Sequence, residues 1–491
     1  MINMEKILYS KKAMFIIIAI LFIVTLFTNY YGSTDIGDYA DSAKYFAGDY
    51  SAKIRNSHSY LFGFIHAPLL KIYPNFIWFK ITSLIFIFGI IYSVYYMSNK
   101  NKKALWLILL SPAVWYMAPW INPIQLASLC LLWAWYFIYK YDKTDKLRYL
   151  IYSGILVGFG WAVWNTILFF GIFLTLAFLF NRKFSHMLYF WIFVFIGLLP
   201  NLILDHFIFN FAFYTVIKTT LSNILATFLG GIYENSKYSL SNKIIPLILI
   251  IITIPFSFWR LYGKNYLKEN YKSIIFITLS ILLILINPQI RYIVAVIPII
   301  VVLVSKEMNY GQFKKQLVIS AVILLIFVFP YLIQISYGIN GEVEGTDIRG
   351  VIQEGINLNK PFVRTTIIED MNNISHIYPS KTFIIGNAAD DYATLARHYW
   401  GENVVEFVSI QDYELWKNNQ SILFEKELRV KPNIADRRVS WISGGIGINE
   451  INSVNYSDID YAIGINEPVK LEGFSVIYKT NKLYVSRRVN L

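Results

Sequence analysis

Cysteine is all but missing from this 491-residue chain. Cys130 is the single thiol, so no disulfide braces the fold and no thiolate cluster holds a metal. Charge is scarce too, at 15% of residues against 56% hydrophobic, and 31 carboxylates face 44 lysines and arginines. A chain so poor in charge belongs in lipid rather than in water. There is no internal repeat and no low-complexity tract. The glycine-rich stretches Gly230-Gly231 and Ser443–Ile448 lack a Gly-Lys-Ser/Thr ending, so they read as turns or bulges and not as phosphate loops. No Ala-x-Ala-like cleavage site follows the first apolar run, and that run is expected to stay attached as the first helix.

What the chain does have is long apolar runs. A helix needs about 20 residues to cross a hydrocarbon core, and suitable runs recur from residue 13 to about residue 335. The spacing predicts eleven spans, at 13–31, 76–97, 104–119, 122–139, 149–164, 166–180, 187–204, 244–259, 273–287, 291–305 and 316–335. The expected fold class is therefore a polytopic α-helical membrane protein.

Lysine and arginine set the orientation, because basic loops are retained on the cytoplasmic side. Lys6, Lys11 and Lys12 share one side with the turns at 100–103, 140–148, 182–183, 260–272 and 306–315. The long loops on the other side, 32–75 and 205–243, are poorer in lysine and arginine. The N-terminus is thus expected in the cytoplasm, and an odd number of spans sends the tail outside. The net charge of +13 follows from basic turns beside anionic lipid, so no nucleic-acid partner is expected.

After residue 335 the composition changes. Short β-rich runs such as Lys381–Gly386 and Phe474–Lys479 alternate with helical stretches such as Ala389–Tyr399. The expected organisation is a membrane domain over 1–335 and an extracytoplasmic α/β or α+β domain over 336–491. Triplets of the glycosylation type at Asn373, Asn419 and Asn455 are compatible with an outside location.

The outer face collects chemistry. Loop 32–75 offers Asp35, Asp38, Asp41, Arg55, His58, His66 and Lys71. The short outer turns offer Trp120 and Asn122, Trp164 and Asn165, and Arg291 with Tyr292, while loop 205–243 adds Asp205, His206, Glu234 and Lys237. The segment 38–47 reads as a short amphipathic helix. Trp120 and Trp164 also fit an interfacial aromatic belt, Asn122 before Pro123 also fits a helix boundary, and Arg291 also fits a snorkelling role.

One pattern in the first loop resembles a known family. An acid just after the first helix, a tyrosine four residues on, an alanine eight on, a glycine thirteen on and then a tyrosine is similar to the first outer loop of GT-C glycosyltransferases. Here those positions are Asp35, Tyr39, Ala43, Gly48 and Tyr50. The run Thr34–Tyr39 resembles the same loop in dolichyl-phosphate-mannose mannosyltransferases. His58–Lys71, with its aromatics and Pro-Leu-Leu, and the Arg291-Tyr292 pair continue the similarity. The acid is not followed by a second acid, and no Trp-Trp-Asp motif of en bloc oligosaccharide transfer is present.

The resemblance implies transfer of a single hexose, mannose by analogy, from a polyprenyl or dolichyl phosphate to a glycan, lipid or protein acceptor outside the cytoplasm. Such a displacement inverts the anomeric centre and needs a base for the acceptor hydroxyl. Asp35 is the expected base, with Asp38 second. Arg291 is the expected phosphate partner, helped by Arg55, His58, His66 and Lys71. Tyr39, Trp120, Asn122 and Trp164 are the expected sugar or acceptor contacts. No cofactor is required, because the donor carries no pyrophosphate; a divalent cation on Asp38 and Asp41 is the alternative. Two rivals share the topology: a transporter or flippase, and an envelope glycan polymerase or ligase. Transport calls for mid-membrane polar groups and paired repeats, whereas here polar groups cluster at one surface.

Overall fold

The computed structural model describes residues 10–27, 36–48, 54–55, 60–75, 77–180, 182–209, 211–217, 220, 254–255, 258, 261–286, 290–329, 373–378, 383–386, 404–406, 427–428, 439–440, 445–446, 460–465, 468–469, 473–480 and 483–489. Every span expected from the sequence meets a described helix except 244–259, of which only residues 254, 255 and 258 are described.

The first helix is Lys11–Phe27. Two helices then precede the second span: Ile36–Ala47, as the amphipathic pattern predicts, and Leu61–Ile72, inside the stretch 32–75 expected to be a loop. Twelve residues reach only about 18 Å, too short to cross a bilayer. Ile77–Met97 and Phe184–Ile208 are each long and apolar enough to cross.

The third span is interrupted. Pro112 has no backbone N–H to continue the Lys102–Leu109 helix, so a second helix, Pro112–Met117, restarts with proline in its first turn. Among the described residues the bundle continues with Ile124–Thr144, Leu147–Val163, Ile167–Leu174, Phe184–Phe209, Lys264–Ile286, Ile290–Glu307 and Tyr310–Ile323. Wider π-helical turns extend two of them, at Thr175–Leu179 and Leu324–Val328.

Small residues let the helices approach. A Cβ built on Gly158 would lie 1.9 Å from the Val194 carbonyl, so Leu147–Val163 and Phe184–Phe209 meet backbone to backbone. Ser128 Oγ, donating to the Val294 carbonyl at 2.9 Å, pins Ile124–Thr144 to Ile290–Glu307. The core is continuous through the bundle and includes Trp115, Trp135, Phe170 and Ile299.

The basic turns do share one end of the bundle. Arg182 pairs with Asp142 at 3.1 Å and with Asp145 at 2.9 Å, and Lys272 also pairs with Asp142. Asn101 Nδ2 donates to the Ser305 carbonyl at 3.1 Å, joining another two of those turns.

In the tail, a five-stranded sheet runs in the order Val404–Glu406, Phe383–Gly386, Tyr461–Ile465, Leu483–Arg488, Phe474–Lys479. The first three strands are parallel and the last two join antiparallel. The expected strands at 381–386 and 474–479 are present, whereas the expected helix 389–399 lies outside the described residues. Val439–Ser440 and Gly445–Ile446 pair antiparallel. Ile54–Arg55 of the first outer loop pairs antiparallel with Glu427–Leu428 of the tail.

Candidate functional site

The end opposite the basic turns is organised by the helices Ile36–Ala47 and Leu61–Ile72. Gly63 makes their contact: a Cβ there would lie 2.6 Å from Ser42 Cβ and 2.8 Å from the Ala43 backbone nitrogen. Ala43 is fully buried, which is what the small residue at its place in the motif permits. Tyr39 is buried with its ring edge-on to Phe62, centroids 5.5 Å apart. Phe46 closes the pair against Phe64 at 5.1 Å.

Asp38 stands in the first turn of Ile36–Ala47, and Asp35 and His58 lie outside the described residues. Arg55 is placed by its strand, in register with Glu427. Arg291 is the second residue of Ile290–Glu307.

His66 is fully buried and stacks on Phe79 at 4.3 Å. Its Nδ1 lies 2.7 Å from the Phe62 carbonyl and its Nε2 2.6 Å from Thr82 Oγ1. Burial pushes the imidazole down to about 4, so it is neutral; Nδ1–H then donates to the carbonyl and Nε2 accepts from the threonine hydroxyl. Both nitrogens are engaged within the protein, which makes His66 a pin between Leu61–Ile72 and Ile77–Met97. Lys71, near the end of Leu61–Ile72, is exposed.

The turns at this end of the bundle are packed rather than open. Trp120 is 1% exposed and rests on Tyr116 at 5.3 Å, so it is a core residue and not part of an interfacial belt. Asn122 is buried, and its Oδ1 accepts from the Ile124 N–H at 2.9 Å, starting the Ile124–Thr144 helix. Trp164 stacks on Tyr292 at 5.6 Å, which brings the turn after Leu147–Val163 to the residue following Arg291. Leu61–Ile72 in turn packs on Leu147–Val163 and on Ile77–Met97.

Two features escaped the sequence reading. Lys80 is 1% exposed, one turn above Ser83, whose hydroxyl donates to the Ala118 carbonyl at 2.8 Å. A lysine amine is therefore sequestered near the start of Ile77–Met97, beside the 118–123 turn. Asp205, expected at the start of a loop, is instead a fully buried member of Phe184–Phe209. Its Oδ1 accepts from Tyr60 Oη and, at 2.7 Å, from Thr215 Oγ1; its Oδ2 accepts from the Thr215 N–H at 3.0 Å. Asn201 Nδ2 donates to Thr215 Oγ1 at 2.9 Å. The signal available was a charged residue inside an otherwise apolar run, which is costly unless paired.

No family model matches this chain, and no curated protein matches it. Among solved structures, the crystal structure of ArnT from Cupriavidus metallidurans bound to undecaprenyl phosphate is similar with a TM-score of 0.61. It is 11% identical, over 97% of this chain and 98% of that one. The same protein in its apo state gives a TM-score of 0.58 at 11% identity, over 96% and 97%. At such identity the correspondence is one of fold, and it runs through both the helical bundle and the tail. The chain thus shares the overall fold of this ArnT over nearly its whole length, in keeping with the polytopic helical membrane architecture that its apolar runs predict.

Proposed function

We propose that this protein is a glycosyltransferase that moves one sugar, a hexose and by analogy mannose, from a polyprenyl or dolichyl phosphate to an acceptor outside the cytoplasm. The observation that carries this reading is the fold: a full-length match to a protein solved with undecaprenyl phosphate, with the acid-bearing helix held at the end away from the basic turns. The basic turns would face the cytoplasm with the N-terminus. The outer helices would face the exterior with the 336–491 domain.

In the proposed reaction Asp35, or Asp38 beside it, takes the proton of the acceptor hydroxyl. The freed oxygen bonds to C1 of the sugar on the face opposite the phosphate, and the C1–O bond to phosphate breaks with inversion. The electron pair leaves with the lipid phosphate. Arg291, Arg55, His58 and Lys71 are the candidate cations for that charge, and the buried Lys80 joins them. His66 is left to its structural contacts. Tyr39, Trp120, Asn122 and Trp164 shape the walls; Trp164 with Tyr292 is the pair nearest in sequence to Arg291. The reaction as written needs no cofactor, and a divalent cation, where one is used, would sit at Asp38 and Asp41.

The test is transfer of labelled sugar from polyprenyl-phosphate hexoses in membranes holding equal amounts of wild type, Asp35→Asn and Asp38→Asn. Loss of about 10²-fold or more in Asp35→Asn alone supports the assigned base. Full activity in both variants removes this loop as the reacting centre, and no transfer by wild type with any donor favours a transporter.

A further inference from the structure

We propose that Asp205 and Tyr60 form a tether that sets the position of the acid-bearing helix, which makes both of them positioning residues for the transfer reaction. The proposal rests on the functional reading above.

Its basis is a polar network where an apolar bundle has few. Asp205 is 0% exposed, Tyr60 and Thr215 1% and Asn201 2%. The carboxylate takes hydrogen bonds from two other segments: the Tyr60 hydroxyl, immediately before Leu61–Ile72, and the hydroxyl and N–H of Thr215, beyond the end of Phe184–Phe209. Asn201, one turn earlier on the same helix as Asp205, fixes the Thr215 hydroxyl. In so apolar a setting a hydrogen-bonded carboxylate has one favourable arrangement, because releasing any partner leaves a buried group unsatisfied. The network therefore defines where Tyr60 stands relative to the outer end of the Phe184–Phe209 span.

Tyr60 passes that position on. It is the residue from which Leu61–Ile72 starts, and Leu61–Ile72 meets Ile36–Ala47 at Gly63 with no room for a single methyl group. Phe46 of Ile36–Ala47 also lies against the Tyr60 ring, centroids 5.8 Å apart. The two helices thus move as one body with Tyr60, and that body carries Asp38 and follows directly on Asp35. An anchor between the loop 205–243 side of the molecule and the acids explains why an ionisable side chain is retained inside a span. The spacing of bases and reacting carbons is exacting: a misplacement of about 1 Å costs about 10²-fold in rate.

Tyr60→Phe keeps the ring and removes only the hydroxyl, and Asp205→Asn keeps the shape but replaces one accepting oxygen with an amide donor, which cannot serve both the Tyr60 and Thr215 donors as the carboxylate does. Each is expected to lower kcat by about 10- to 100-fold with the donor KM within about twofold, because substrate still binds while the base stands in the wrong place. The double variant is expected to lose no more than either single one, as two halves of one contact do. A second readout needs no activity. Cys130 is buried, so Ser42→Cys, at a position buried against Gly63, reports the seating of the helix pair through its labelling by a membrane-impermeant maleimide. Labelling is expected to rise about tenfold when Tyr60→Phe or Asp205→Asn is added.

Unchanged kcat in both variants, or a raised KM with kcat intact, overturns the tether. Should wild type transfer no sugar from any polyprenyl-phosphate hexose, the functional reading falls, and the labelling decides the tether alone. Protection of Ser42→Cys in both backgrounds then overturns it, and faster labelling upholds it as the device that seats the helix pair.

Discussion

His66 shows what burial does to a residue that, in sequence, belongs with the outward-facing cations. Its ring is enclosed between Phe62 and Phe79, and both nitrogens are bound. With the folded value pushed down to about 4 from an ordinary 6.5, the folded protein holds the imidazole neutral while the unfolded chain takes up a proton below about pH 6.5. Stability from this group is therefore full above pH 6.5 and is lost as the pH falls toward 4. At pH 5 the loss is on the order of 2 kcal/mol. Thermal unfolding in detergent at pH 7 and pH 5 should show a larger drop in Tm for wild type than for His66→Gln, which cannot take up the proton. Equal drops would mean that His66 is not buried neutral. Tyr39 and Ala43 were legible in the sequence because they lie within one short motif. The partnership of Tyr60 with Asp205 was not, because 145 residues separate the two and no local pattern links them.

Among the elements, spans were legible from apolar length alone, since the bilayer demands it, and the helix over 38–47 from its periodicity. What could not be read is where a span ends when its last turn is polar but paired. A charge at 205 predicts the membrane boundary, yet the helix runs on to Phe209 because Tyr60 and Thr215 supply the partners that water would. The helix Leu61–Ile72 was hidden for the related reason that it is apolar but too short to cross. Its contact with Ile36–Ala47 makes a test at this scale. The nearest atoms to a Cβ on Gly63 are the Ser42 Cβ and the Ala43 backbone, neither of which can rotate away, so Gly63→Ala must push the two helices apart. We expect a loss of about 1–3 kcal/mol in stability, seen as a lower Tm, together with slower transfer. Gly311→Ala is the control, because its Cβ would meet only Asn309 Oδ1 at an ordinary 3.7 Å. Equal effects of the two changes would show that the contact at Gly63 does not set the helix pair.

At the scale of the whole molecule, two independent sets of contacts describe one polarity. Ion pairs among Asp142, Asp145, Arg182 and Lys272 gather basic turns at one end. A strand pairing of Ile54 with Leu428 and of Arg55 with Glu427 joins the first outer loop to the tail. The second set makes a prediction about topology, because backbone pairing requires that residues 54–55 and 427–428 lie on the same side of the membrane. Opposed residues of an antiparallel pair have Cα atoms about 4.5–5.5 Å apart, inside the range a disulfide spans. Ile54→Cys with Leu428→Cys should therefore crosslink under mild oxidation in intact membranes, with Cys130 buried inside its helix and out of the reaction. Ile54→Cys paired with a cysteine at Lys102, at the other end of the bundle, should not. A crosslink carries a further consequence for the chemistry: it fixes the loop that bears Asp35 to the tail, and if the tail helps to seat that loop, transfer should survive oxidation. If oxidation forms the bond and abolishes transfer, loop and tail must separate in each turnover. No crosslink at all would place the tail apart from the first outer loop and remove the shared outer face on which the site is built.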